Sequence, residues 1–248
     1  MYLLGDIGNT DVKICLFSKN DKLIKKIKLQ SNKISKNLLN KKLTLMILKK
    51  YKIERVLFCS VVPAIYKKIK KILKDKFHLN CMELKELNLK KIININVNKK
   101  QIGSDRLSNA ISVNDNKNNY IIVDFGTATT FDVVIKNNYL GGIISPGVNL
   151  SLNTLVSKAS MIPKIKLKSI SKVLGKNTLE AVRSGFYWGY LGLIENIIRK
   201  ISKKTKKKYK IIFTGGLSHL FKKTISFKIF INRNLTINGL LKVVQLIK

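Results

Sequence analysis

Short β-branched runs and longer stretches with apolar residues every third or fourth position alternate along the chain, in an order that occurs twice. In the first half the alternation predicts strands at 2–6, 12–17 and 22–29, with the Gly8-Asn9 and Asn20-Asp21 pairs placed for the turns between them. A helix is expected over about 35–51, then a buried strand at 55–60. A second helix opens on Pro63, and its Ile65, Ile69, Ile72 and Leu73 share one face. The second half predicts strands at 120–124, 130–135 and 139–145, with Asn137-Asn138 as a hairpin turn. Helices follow over about 149–160 and 178–202, then a strand at 210–214 and a last helix near 237–247. Three strands, then helix, strand and helix, given twice, predict a gene-doubled α/β fold. The polar segment 114–119 is the expected boundary, giving domains 1–117 and 118–248.

The repeat carries chemistry. The first strand runs into Asp6-Ile7-Gly8-Asn9-Thr10, and its counterpart runs into Asp124-Phe125-Gly126-Thr127-Ala128-Thr129-Thr130. In each, glycine lets the backbone approach phosphate oxygens, Asn and Thr side chains with main-chain N–H groups donate to them, and a strand-end carboxylate can hold a bridging cation. Two such loops facing each other would grip one ATP between similar halves.

Composition narrows the reading. A chain of 248 residues with 45% apolar content buries a real core. The formal charge of +36 invites a polyanion, but of the 49 basic residues only five are arginine, and the remaining lysines lie on almost every element without interleaved aromatics. The charge is therefore read as solvated faces that draw in anionic small substrates, not as a nucleic-acid footprint. Cys15, Cys59 and Cys81 are an odd set without Cys-x-x-Cys spacing, which favours neither a disulfide framework nor a zinc site and fits a reducing cytoplasm. The opening residues Met1 to Asp6 lack a basic stretch and reach an acidic residue too early to read as a signal peptide, and no apolar run approaches the ~18 residues needed to span a membrane, so a protein neither secreted nor membrane-embedded is expected. P-loop, dinucleotide-fold and serine-triad motifs are absent, and His78 and His219 lack partners at metal-ligand spacing.

A third cluster, Gly103-Ser104-Asp105-Arg106, precedes a helical stretch. It reads either as a helix start with Ser104 as cap, or as a base and anion clamp at a helix N-terminus. The phosphate loops in the same chain favour the clamp.

These residues resemble the type III pantothenate kinases of the actin, Hsp70 and sugar-kinase superfamily. The likeness rests on Asp6 to Thr10 with Lys13, Gly103 to Arg106 with Asn109-Ala110, Asp124 to Thr130 with Phe131-Asp132, Gly141 to Gly147, Gly175 to Thr178, Thr214-Gly215-Gly216, and Leu235 to Leu240. The resemblance implies duplicated ribonuclease-H-like (actin-like ATPase) domains with a nucleotide cleft between them, and ATP-dependent phosphorylation of the terminal hydroxyl of pantothenate, the first step toward coenzyme A. It implies Asp105 as general base and Gly103, Ser104, Asp105, Arg106 and Thr178 as substrate contacts. Asp6, Gly8, Asn9, Thr10, Lys13 and Thr127 would bind ATP, with Asp6 near Mg2+ and Asp124 on a monovalent cation, K+ or NH4+. Asn96 stands where the family's pocket tyrosine commonly lies, and Lys99 where a proline is usual. A cytoplasmic homodimer is implied, to which the helix with Phe186, Tyr187, Trp188, Tyr190 and Leu191 would contribute unless those residues are core. Two alternatives stay open: a related kinase for another small hydroxylated acid or sugar, and a non-catalytic binding protein that keeps the fold.

Overall fold

The computed structural model describes residues 1–48 and 51–247. They form two compact units, one comprising Met1–Asn114, Asn137–Tyr139 and Asn234–Lys248, the other Asp115–Lys136 and Leu140–Arg233. The chain passes from the first unit to the second at Asn114–Asp115, returns briefly for Asn137–Tyr139 and again at Asn234, so the last helix lies across the expected division into 1–117 and 118–248.

In unit 1, β1 (Tyr2–Ile7), β2 (Asp11–Phe17), β3 (Leu23–Gln30), β4 (Arg55–Ser60) and β5 (Cys81–Glu83) make a sheet in the order β3-β2-β1-β4-β5. The first three form an antiparallel meander, while β4 lies parallel to β1 and β5 parallel to β4. Parallel neighbours need crossovers. Helices α1 (Lys36–Met46) and α2 (Pro63–Phe77) supply them. Ser35 caps α1, its hydroxyl accepting from Leu38 N at 3.2 Å. Residues 49 and 50, within the range expected for that helix, lie outside the described residues. One sheet face buries Leu3, Ile14 and Phe58 against Leu39 and Leu43 of α1 and Ile69 and Leu73 of α2. Each such fully buried side chain contributes about 1.5–3 kcal/mol.

Two further helices complete unit 1, α3 (Ser104–Val113) and α6, whose number follows from the second unit's α4 and α5 and whose range is Leu235–Leu246. They pack closely on each other, and α6 also lies on β1 and β4. Gly239 permits the approach, since a Cβ there would sit 1.9 Å from the Ser108 carbonyl oxygen. Ser108 Oγ donates to the Thr236 carbonyl at 2.7 Å, and Thr236 Oγ1 donates to Asn109 Oδ1 at 3.0 Å. The Arg55 guanidinium donates to the carbonyls of Val244 and Ile247 and so closes the C-terminal end of α6. The apolar face of α6 (Leu235, Ile237, Leu240, Val243, Val244) is buried here, which is why the chain's last helix belongs with its first strands. A two-residue strand, β6 (Asn94–Ile95), pairs in parallel with Asn138 and Tyr139.

Unit 2 repeats the arrangement with β7 (Asn119–Phe125), β8 (Ala128–Ile135), β9 (Asn138–Pro146), β10 (Lys210–Gly215) and β11 (Ile229–Ile231), ordered β11-β10-β7-β8-β9. Again a strand from later in the chain, β10, lies parallel to the strand that leads the meander. Between them run α4 (Val148–Lys158) and the 28-residue α5 (Thr178–Thr205). An aromatic cluster forms the core, with Phe125 5.0 Å from Phe213 and Tyr187 5.4 Å from Phe221 between ring centroids. Tyr187 and Leu191 of the aromatic helix are thus core residues, and Phe186, Trp188 and Tyr190 pack partly buried against them. His78 and His219 are exposed, and all three cysteines are buried free thiols. Among the described residues no helix is long and apolar enough to cross a membrane.

Candidate active site

The sheet topology brings Asp6 and Asp105 into one neighbourhood of unit 1. Asp6 lies near the end of β1, opposite Cys59 of the parallel β4, and α3 begins beside these strand ends. Gly8 N donates to Asp11 O at 2.9 Å, closing a tight turn that leaves Asn9 and Thr10 exposed at its tip. Lys13 returns on β2 to place its Nζ 3.5 Å from Asp6 Oδ2, and the Cys59 thiol points at Asp6 Oδ1 at 3.8 Å. Asp6 is only 9% exposed. Burial pushes its pKa up to about 6; Lys13 pulls it down, and the negative charge of Asp105 pushes it up again.

Asp105 occupies the first turn of α3, where Arg106 N donates to its Oδ1 at 2.8 Å. Burial raises its pKa, opposed first by that N–H and then by the Arg106 charge. Gly103 leaves the Asp105 carboxylate its place, because a Cβ there would lie 2.4 Å from Asp105 Oδ1 and would turn that side chain aside. Ser104 does not cap the helix. The cap position is Gly103, and the Ser104 hydroxyl donates to the Glu83 carboxylate instead. Neither Glu83 nor Lys85 stood out in the sequence; the only signal was the Glu83-x-x-Glu86 spacing, which forms a capping box on a 3-10 turn. Asn96 lies just beyond β6, its side chain exposed and its N–H donated to Tyr139 O at 3.0 Å.

Unit 2 holds the remaining candidates. Asp124, near the end of β7, is the topological counterpart of Asp6, and Thr127 sits exposed in the loop that follows. Asp124 is in register with Thr214 of β10, and Gly215 next to it has φ +84°. A Cβ on Gly215 would be 2.6 Å from both Asp124 Oδ1 and the Phe125 carbonyl oxygen, so these two oxygens crowd the backbone at this point and leave room only for glycine. Thr178 is exposed and begins α5. The Asn177–Glu180 pairing forms as its spacing predicts: Asn177 Oδ1 accepts from Glu180 N at 2.9 Å, and Glu180 Oε2 accepts from Lys176 N at 2.9 Å. Among the described residues no group of three or more His, Cys, Asp or Glu is arranged as a complete metal cage. A magnesium ion at Asp6 would therefore depend on phosphate oxygens and water for most of its ligands.

The raised Asp6 pKa has a measurable consequence. A carboxyl whose pKa is about 6 when folded and near 3.8 when unfolded stabilises the fold fully below pH 4, and that stability is lost as pH rises to about 6. Above this window the ionised group costs roughly 2–3 kcal/mol. Asp6→Asn removes the cost. In magnesium-free buffer at pH 7.5 this variant is expected to melt several degrees above the parent, and the two melting curves should converge near pH 4. A parent that melts above the variant at pH 7.5 would contradict it.

Comparisons with known proteins identify the family of the chain. The family model for type III pantothenate kinase matches residues 2–200. A protein named type III pantothenate kinase from Pelagibacter ubique (strain HTCC1062) is 55% identical over 248 residues, all of both chains. One of the same name from Sulfurihydrogenibium sp. (strain YO3AOP1) is 37% identical, covering 97% of this chain and 98% of its own. Among solved structures, the activator of the 2-hydroxyisocaproyl-CoA dehydratase from Clostridium difficile with bound ADPNP superposes with a TM-score of 0.52 at 12% identity, over 97% of this chain and 91% of that one. That last likeness is one of fold, the duplicated actin-like ATPase architecture. Match of the family model over most of the chain and full-length identity to proteins of that name lead to one statement: the chain belongs to the type III pantothenate kinase family.

Proposed function

We propose that Asp105 is the base through which this kinase phosphorylates pantothenate with ATP, the first step of coenzyme A biosynthesis. The observation that carries the assignment is that Asp105, in the first turn of α3, lies near enough to Asp6 at the end of β1 for its charge to raise the Asp6 pKa. A base of raised pKa takes a hydroxyl proton more readily, and Arg106 beside it supplies positive charge for an acidic substrate. Gly8, Asn9, Thr10, Lys13 and Thr127 are the phosphate contacts, and Gly103, Ser104, Arg106 and Thr178 the pantothenate contacts. Asn96 keeps the position of the family's pocket tyrosine with a short amide, which removes ring contact from the substrate.

Mg2+ at Asp6 and K+ or NH4+ at Asp124 supply charge neutralisation for the phosphates when bound. Asp6 itself holds Lys13 toward the phosphate turn, and Asp105 accepts the proton as the oxygen–phosphorus bond forms. We also read the protein as a cytoplasmic homodimer. Supporting the dimer, unit 2 exposes apolar side chains on β9, α4 and the segment after it, among them Ile144, Leu150 and Met161.

ADP formation followed with and without pantothenate tests the function. Release that depends on pantothenate, and fails with other hydroxylated acids and sugars, is the expected result. Equal release without pantothenate, or none with it, would defeat the reading.

A further inference from the structure

Between β5 and α3 the structure contains a brace that the reaction scheme above does not use. Glu83 ends β5, and its Oε1 accepts from Ser60 N at 3.3 Å, at the end of β4, and from the hydroxyl of Ser104, the first residue of α3. Its Oε2 accepts from Lys85 N at 2.6 Å. Lys85 in turn donates its Nζ to the carbonyl oxygens of Lys100 at 2.9 Å and Ile102 at 2.8 Å, in the segment that leads into α3. One carboxylate and one ammonium therefore tie the ends of two strands to both sides of the Gly103 turn.

We propose that Glu83 and Lys85 are positioning residues for the phosphoryl-transfer reaction, fixing the first turn of α3 so that Ser104 and Asp105 meet the substrate in one orientation. The proposal rests on the reading of Asp105 as base. The physical argument is one of constraint. The first turn of a helix has no intrahelical acceptors for its own N–H groups and frays most easily, and no side chain caps α3. Asp105 sits in that turn, where a displacement of about 1 Å would misalign a proton acceptor at a cost of up to ~10²-fold in rate. Charge-assisted bonds from Glu83 to the Ser104 hydroxyl and from Lys85 to the carbonyls of Lys100 and Ile102 anchor the chain on both sides of that turn.

The brace also fixes the polarity of Ser104. A serine hydroxyl has one hydrogen, and here it is donated to Glu83, so Ser104 Oγ meets a substrate only as an acceptor. Ser104 therefore suits an N–H or O–H of the substrate and disfavours its carboxylate. Arg106, a permanent cation, remains for that group.

The test is steady-state kinetics on Glu83→Ala, Glu83→Gln and Lys85→Met in the full chain, with Asp105→Asn run alongside and melting temperatures recorded. Glu83→Ala should lower kcat about tenfold and raise the KM for pantothenate several-fold, with the KM for ATP unchanged, as expected for lost positioning. Glu83→Gln keeps an oxygen acceptor and should recover kcat to within about threefold of the parent. Lys85 is partly exposed, so Lys85→Met leaves no buried charge and carries the test should the alanine variant not fold. It should lower kcat about fivefold, again without effect on the KM for ATP. Parental kcat in Glu83→Ala or Lys85→Met, or equal losses in Glu83→Ala and Glu83→Gln with a raised KM for ATP, would overturn the brace. If Asp105→Asn is inactive while the brace variants are parental, only the brace fails; if Asp105→Asn is active, the base assignment fails first.

Discussion

Asp105→Asn is expected to lower turnover by about 10²-fold or more while ATP binds nearly as in the parent, because general-base catalysis contributes about that much and the substitution keeps shape while removing the acceptor charge. The effect should fall on kcat and kcat/KM together, the signature of an interaction made in the transition state. Structure supports a selective result. The Arg106 N–H that binds Asp105 Oδ1 can bind an asparagine oxygen equally well, so the start of α3 need not move. One secondary effect is also expected. Asp6 loses a negative neighbour, so its pKa should fall below the value near 6, and the acid side of its titration should shift to lower pH. ATP affinity by calorimetry and ADP release by coupled assay check both parts, and turnover near the parental rate would remove Asp105 from the base role.

Gly215→Ala is expected to have the second large effect, on stability and on the cation response at once. At φ +84° an alanine pays about 1 kcal/mol or more for the left-handed conformation. Its Cβ would also stand 2.6 Å from Asp124 Oδ1 and from the Phe125 carbonyl oxygen, and the second of these is backbone that cannot rotate away. Destabilisation of at least ~2 kcal/mol follows from strain and overlap together. Relief comes most easily by swinging the Asp124 carboxylate aside, so, with Asp124 as the proposed monovalent-cation ligand, the concentration of K+ needed for half-maximal activity should rise about tenfold or more, in line with loss of a charged ligand. Gly216→Ala is the control, since nothing lies within 4 Å of a Cβ there. Equal melting temperatures and equal cation curves for both alanine variants would show that the close approach at Gly215 carries no weight.

How much of this was legible depended on whether the deciding contacts were local. The Asn177–Glu180 cap, the Pro63 helix start and the meanders with turns at Gly8 and Asn137 are set within a few residues, and the structure has them where the pattern places them. The strands β5, β6 and β11 were missed because two or three residues are too few to show a period of two. Periodicity showed that residues 237–247 carry an apolar face but not which sheet receives it, and that depends on Gly239 meeting Ser108 across the chain. Among the candidate residues, glycine and carboxylate motifs point to Asp6 and Asp105 in unit 1 and to Asp124 in unit 2. Glu83 was invisible because its partners Ser60 and Ser104 are 23 and 21 residues away and no local rule joins them.

The placement of α6 has a consequence for biogenesis. A ribosome releases strands β1 to β5 before the second unit, yet the α6 helix that packs on β1 and β4 follows that unit in the chain. Nascent chains must therefore carry an uncovered apolar surface around Leu107, Ala110 and Ile111 while the second unit is being made, a period in which such surfaces attract chaperones or one another.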